Sequence, residues 1–528
     1  MELHSRDALM CRCCANRRRF LKSCAGCGVA ALAASSLRLA PAESQESSAI
    51  PASSDRVRVR LVFACWALVQ DRPTWPHIGH DMRPEIERVT NALREGCPEI
   101  EFLPVAAHSV EDADKLLAQH DADKIDGYLV CNMNNWIQVF HRIAASGHPM
   151  LLADFIYAGS GGFLVYGSQL RRQYRNFSLV ASSDISDLIA AAKCFTILKS
   201  GGVEQFVAAC DRIRQERTPK PRIQKPAEDR LTLKSVGQCL EEVKNSGIIS
   251  IGGGNKGVAE AIQQQLGIPV HFVSFEEMAE ATEAADKAQV DELAEKWRKE
   301  AQKVLIDEHE ETLRLAAANY LAQKALLNKY RAEAITINCL GGFYSGKLKA
   351  YPCLGFVELL NSGFVGACEA DLPSTVTMVM VNHLAGRPGY ISDPVIDTSK
   401  REIIYAHCVA TTKPFGPEGP ANPYEILTHS EDRRGASVRS FLPVGYMTST
   451  MEIFPDRKQI LFHQGVAAEN VVIDRACRTK LGCEVWGDLD KLLLGWSNGW
   501  HRVTFYGDLK DAVKELAAAL QFNLVEEA

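Results

Sequence analysis

Val57-Arg58-Val59-Arg60-Leu61-Val62-Phe63-Ala64-Cys65 is a run of β-branched and apolar residues that reads as a strand. Helical patterning follows over residues 84–94, then a strand over 100–105, a helix over 110–119 and a strand over 128–132. A helix over 136–145 and a strand over 150–155 continue the alternation. Alternation of this kind builds a parallel sheet with helices on both faces. Ligands of such sheets gather at the carboxyl ends of the strands. The loops there are 66–82 (with Arg72, Trp75, His77 and His80), 132–136 and 157–162.

Working outward, a second α/β unit is expected from about residue 176 to 275. In it Gly252-Gly253-Gly254-Asn255-Lys256 joins a strand to a helix. This matches neither the dinucleotide nor the P-loop spacing and reads as a tight structural turn. Residues 276–333 are charged, nearly free of Gly and Pro, and predict one or two long helices bridging domains. Strand-like runs then dominate from about 402 to 500, including 403–406, 437–443, 448–454 and 459–463, and a helix closes the chain over 509–520. The expected fold is α/β, with two N-terminal doubly wound α/β domains, 56–170 and 171–400, followed by a C-terminal β-rich, barrel-like domain, 401–528.

Lys plus Arg number 59 and Asp plus Glu 65 in 528 residues, a net charge of −6 that leaves no basic footprint for nucleic acid. Mean hydropathy is −0.10, and the one long apolar run lies at the N-terminus, which excludes a polytopic membrane protein. Near the N-terminus Asn16-Arg17-Arg18-Arg19-Phe20-Leu21-Lys22 precedes a small, apolar stretch and then Ala40-Pro41-Ala42. A basic region, a weakly hydrophobic region and a small-x-small site form an export signal, here of twin-arginine type. Residues 1–42 are therefore read as signal and 43–55 as linker, so the expected location is periplasmic or otherwise exported, with no membrane span after signal removal. Twelve cysteines follow the signal with no C-x-x-C pair, so no zinc ribbon, iron–sulfur cluster or disulfide is expected.

The chemistry concentrates at Ala367-Cys368-Glu369-Ala370-Asp371-Leu372-Pro373-Ser374-Thr375. Two carboxylates stand at a strand end, just before a helix running to about residue 384. After Gly386-Arg387-Pro388, a short strand through Tyr390 and Ile391 ends at Asp393-Pro394. Two strand ends separated by one helix form a parallel crossover that sets Glu369 and Asp393 side by side. Adjacent buried carboxylates repel unless a proton or a cation lies between them. The alternative is that Glu369 or Asp371 caps the following helix. Spacing alone does not choose between metal and cap.

From about residue 307 onward the chain resembles the L-fucose/L-arabinose isomerase superfamily, in particular its L-fucose isomerase branch. There a strand-end Glu and an Asp 24 residues later bind the catalytic metal, and Glu369 and Asp393 are 24 apart. The branch also carries a distal His before an apolar run, Gly-Asp and a helix; Ser497-Asn498-Gly499-Trp500-His501 and Gly507-Asp508 fit that pattern. Asn338-Cys339 and Tyr351-Pro352-Cys353 fit as well. Over residues 56–275 only the architecture matches. Trp500 departs from the family, which commonly has Asn before the His.

The resemblance implies a metal-dependent aldose–ketose isomerase acting on a monosaccharide or derivative through an enediol. Glu369 and Asp393 would be catalytic and, with His501, would ligate a divalent ion; two carboxylates and one imidazole suit Mn2+ better than structural zinc. His407, Trp500, Asn132 and Trp136 are the candidates for sugar contact, with Asn135 beside them. His463 is a weaker candidate, Asp371 is read as a helix cap and His309 as solvated. A homo-oligomer is also implied. The rival readings are a metal-dependent epimerase on the same fold and an exported sugar-binding protein.

Overall fold

The computed structural model describes residues 56–528; the signal and linker read at 1–55 lie outside the described residues. Five strands, β1 (Val57–Ala64), β2 (Ile100–Ala107), β3 (Gly127–Asn132), β4 (Met150–Asp154) and β5 (Phe177–Val180), form one parallel sheet in the order β2-β1-β3-β4-β5. Alternate residues point to opposite faces, and both faces are buried. Val62, Val130 and Leu152 join one core, while Leu61, Phe63, Leu129 and Leu151 join another. The sheet runs beyond the expected limit at residue 170. β5 pairs with β4, and Phe206, Val207 and Cys210 of the helix Val203–Arg217 pack into the same core as Leu61.

Next come β6 (Ile248–Ile251), β7 (Val270–Val273), the short β8 (Lys303–Leu305), β9 (Ala334–Ile337) and β10 (Val365–Cys368). A second parallel sheet has the order β10-β9-β6-β7. Its glycine turn is structural: Gly252 has φ of +71°, and a Cβ there would lie 2.1 Å from the Phe275 ring. The stretch 276–333 is three helices rather than one or two: Phe275–Glu283, Lys287–Glu300 and His309–Tyr330. Ser274 and Asp286 accept the backbone N–H groups of Glu277 and Gln289, so each starts a new helix, and β8 pairs away before the third.

The remaining strands are β11 (Tyr390–Asp397), β12 (Glu402–His407), β13 (Tyr424–Leu427), β14 (Ser437–Ser440), β15 (Met447–Phe454), β16 (Gln459–Asn470), β17 (Thr479–Trp486), β18 (Arg502–Tyr506) and β19 (Asn523–Glu526). Six of them run β15-β18-β11-β12-β17-β16, and pairing of β15 with β16 closes the ring, with β19 parallel on β16. This barrel begins at Tyr390, ahead of the expected boundary at 401.

Asp393 does not end a parallel strand; it lies within β11, antiparallel and opposite Ala406 of β12. The two carboxylates therefore meet across a seam between the second sheet and the barrel. That seam is apolar: Val365 and Ala367 share a core with Ile391, Ile404 and Val503.

Among the described residues no helix is long and apolar enough to cross a membrane. The twelve cysteines there are free and buried.

Candidate metal centre

The site starts where β10 ends. Glu369 and Ala370 both take positive φ, +65° and +54°, a conformation that costs residues with a β-carbon about 1–3 kcal/mol each. The Ala370 N–H donates to Ile337 O at 3.1 Å and that of Asp371 to Cys368 O at 3.3 Å, which holds the strained turn. Asp371 then opens the helix Leu372–Ala385, accepting the Ser374 N–H at 3.0 Å. Its other oxygen lies 2.8 Å from His501 Nδ1. Asp371 is thus a helix cap, as read, and also the carboxylate that orients His501. With Nδ1–H donated to Asp371, Nε2 of a neutral His501 is left as an electron-pair donor.

That nitrogen lies 3.6 Å from Asp393 Oδ1 and 3.8 Å from Glu369 Oε2. His407, at the end of β12, brings Nε2 to 3.7 Å from Glu369 Oε1. One ligand atom from each of Glu369, His407 and His501 falls within 4.8 Å of the others. Donors held at about 2.0–2.2 Å by one cation stand roughly 3–4 Å apart, so the cluster matches that spacing. Both ring nitrogens of His407 and Nε2 of His501 are buried without a hydrogen-bond partner. Leaving such groups unpaired costs about 1–3 kcal/mol each, and a bound cation would satisfy one nitrogen of each ring. The residues present therefore fit a divalent ion.

The electrostatics point the same way. Enclosure pushes the Glu369 carboxyl up, but His407 and His501 outweigh it and hold it at about 2. For Asp393 enclosure wins and lifts it to about 6. Burial opposes charge on His501, yet Asp371, Asp393 and Glu369 raise it to about 10. His407 is also raised, burial being outweighed by Glu369 and Asp393. The carboxylates and imidazoles thus hold each other in their charged forms, and a cation in their midst would take the place of the imidazole protons.

Two cavities open onto Glu369 and Asp393. The larger, about 400 Å3, is also lined by His501, Glu452, Asn255, Arg457 and Asn498. The smaller, about 240 Å3, is lined by Trp66, Arg72, Trp75, Tyr344 and Glu431. Trp136 and Trp500 line both, with ring centroids 4.1 Å apart. Trp500 also meets Tyr166 edge-on and packs so close to Gly161 that a Cβ there would lie 2.7 Å from the ring.

Of the residues read from the sequence, Glu369, Asp393, His501, Trp136 and Trp500 come together at these cavities, and His407 reaches Glu369 from behind them. His407 stands among the metal-facing atoms rather than along the sugar space. Asn132 is kept away: it is fully buried and donates to Gly159 O at 2.8 Å, fastening one loop to another. Asn135 reaches the smaller cavity while accepting the Gly162 N–H at 3.1 Å. His463 belongs to the barrel interior, between the Tyr405 hydroxyl and Glu527. His309 is exposed at the start of its helix. Glu431, Glu452 and Arg457 also line the cavities yet carry no sequence signal, because each lies in a β-rich stretch where no motif spacing marks it.

No family model matches the chain. Sulfoquinovose isomerases of Priestia aryabhattai and Priestia megaterium are each 24% identical to it over 273 residues. That match covers 50% of this chain and 59% of each relative, so the chain spans about three-fifths of the length of those proteins. A sulfoquinovose isomerase of Alkalicoccus urumqiensis is 26% identical over 113 residues, 21% of this chain and 25% of the relative. Among solved structures, an ABC transporter solute-binding protein from Agrobacterium vitis bound with α-D-tagatopyranose covers 53% of this chain and 75% of its own, at 11% identity. Its TM-score of 0.17 is too low to carry an argument. Over half its length, then, the chain is distantly similar to enzymes named as sugar isomerases.

Proposed function

We propose that this chain is a divalent-metal-dependent aldose–ketose isomerase acting on a monosaccharide or derivative through an enediol. The observation that carries the reading is the convergence of Glu369, Asp393, His407 and His501, with unpartnered imidazole nitrogens, beside cavities of sugar-binding size that Glu369 and Asp393 line. The similarity to sulfoquinovose isomerases supports it.

Moving a carbonyl from C1 to C2 removes the C2 proton, returns a proton to C1 and transfers one from O2 to O1. Glu369, His407 and His501, with Asp393, would hold the ion. When bound, a divalent ion of the Mn2+ type supplies Lewis acidity at the sugar oxygens, worth several kcal/mol at the transition state. Glu369 and Asp393 face both cavities and take and return the carbon-bound proton, a role worth about 10²–10⁴-fold. Asp371 keeps His501 in the tautomer that leaves Nε2 free. The Trp136–Trp500 pair gives the ring face of a sugar an apolar platform and keeps bulk water from the reacting carbons. Each cavity carries one guanidinium, Arg457 or Arg72, so sulfonated and phosphorylated sugars belong in the assay alongside neutral ones. The reading extends to a homo-oligomer exported through the twin-arginine route.

The test is a deuterium wash-in with Mn2+-loaded protein and a panel of aldohexoses, ketohexoses and their 6-sulfonated and 6-phosphorylated derivatives. Solvent deuterium at C1 or C2 of the isomerised product is the expected result. An isomerised product without label would replace the enediol by a hydride shift, and exchange with inversion but no ketose would favour an epimerase. No reaction with any sugar would sink the proposal.

A further inference from the structure

The proposed function leaves one proton unaccounted for, the one that passes between the two sugar oxygens, and the smaller cavity holds a carboxyl placed to carry it. Glu431 lies on the loop between β13 and β14 and lines the same 240 Å3 space as Glu369 and Asp393. In the proposed function those two acids are already taken up with the ion and the carbon-bound proton. Glu431 makes no ion pair among the described residues; its one side-chain partner is the Tyr344 hydroxyl, which donates at 3.2 Å.

The loop is pinned on both sides. Ile78 N–H, from the loop over the first sheet, donates to Glu431 O at 2.7 Å. The adjoining Asp432 accepts the Tyr351 hydroxyl at 2.8 Å. A half-buried acid held this firmly at the wall of a reaction cavity, and not used to pair any charge, is positioned for chemistry.

We infer that Glu431 is a further catalytic residue, the acid–base group that moves the oxygen-bound proton of the isomerisation. Resting on the isomerase reading above, the step balances as follows. As the C2–H pair moves into the C1–C2 double bond, the carbonyl pair shifts onto O1 and Glu431 gives O1 its proton. As the second carbonyl forms, Glu431 takes the O2 proton while C1 receives a proton from the carbon-side base. Glu431 ends as it began, and no other reactant is needed.

Its surroundings favour the protonated form that the first half requires. Burial, the largest influence on this carboxyl, pushes it up. Tyr344 remains neutral and Arg72 shares the cavity.

The experiment compares wild type, E431Q and E431D on any panel sugar that wild type converts, with metal content measured on each protein. Expected for E431Q is an unchanged Mn2+ content, a kcat lower by about 10²–10⁴-fold and a KM within a few-fold of wild type. E431D, which keeps a carboxyl, recovers part of that rate. Loss of Mn2+ from E431Q, a raised KM with kcat intact, or wild-type kcat would each overturn the assignment while leaving the isomerase reading in place. Absence of exchange in wild type overturns both, and is seen before any variant is made.

Discussion

Replacing Glu369 with Gln is expected to remove the bound divalent ion and turnover together. Glu369 stands between two imidazoles, 3.7 Å from His407 Nε2 and 3.8 Å from His501 Nε2. Glutamine keeps the shape but supplies a neutral oxygen, so the cluster loses one of the charges that attract the ion. On the proposed function the Lewis acid would contribute several kcal/mol and the carboxylate a further 10²–10⁴-fold. These losses overlap, since both act on one transition state, and the net fall in kcat/KM is about 10³-fold or more. Metal analysis and turnover on the same preparation check it. Full metal content with unchanged turnover would remove Glu369 from the account.

The largest expected effect on stability lies elsewhere, inside the barrel. Arg502 is fully buried and pairs with Glu527 at 2.6 and 3.1 Å, and His463 Nδ1 lies 2.9 Å from the same carboxylate. This triad ties the segment after β19 to β16 and β18. Breaking a buried pair by removing one partner costs about 3–5 kcal/mol, because the remaining charge has no water to turn to. Glu527→Ala is expected to lower the unfolding free energy by that amount. Arg502 lies over the Trp496 ring at 4.1 Å, so tryptophan fluorescence in urea reports the change. Burial alone would raise the Glu527 carboxyl, but Arg502 and His463 hold it at about 2, below its ordinary 4.5. A depressed carboxylate stabilises the folded state above its unfolded value, and that stabilisation fades as pH falls through the folded one. The gap between wild type and variant should therefore be full above pH 4.5 and shrink toward pH 2. Equal urea midpoints at neutral pH would show that the triad adds nothing.

How much of this was legible in the chain depends on what each signal measures. The first sheet could be read because parallel strands buried on both faces leave β-branched runs such as Val57–Ala64. The sequence pattern ends the first domain at 170, short of β5, because that strand has four residues, too few for a period to show. Asp393-Pro394 looks like a strand end, since proline has no N–H to donate. The structure accommodates Pro394 because β11 pairs with β18 only over Tyr390–Ser392, so one flank is free where the proline falls.

The separation of Glu369 and Asp393 was legible because one helix joins them. His407 and His501 were legible only through the resemblance, because closure of the barrel, a long-range event, brings them together; Glu431 arrives on the loop between β13 and β14, strands of a separate sheet with β8, which no local pattern records. Asn132 shows the opposite failure: an amide at a strand end looks the same whether it faces a ligand or, as here, fastens a loop.

The most direct test of the central claim is an anomalous difference map from a crystal of the protein soaked in Mn2+. The account predicts one strong peak at about 2.0–2.3 Å from an oxygen of Glu369 and a nitrogen of both His407 and His501, with Asp393 beside it. A map with no peak there at saturating Mn2+, or with the ion bound by other residues, would contradict it.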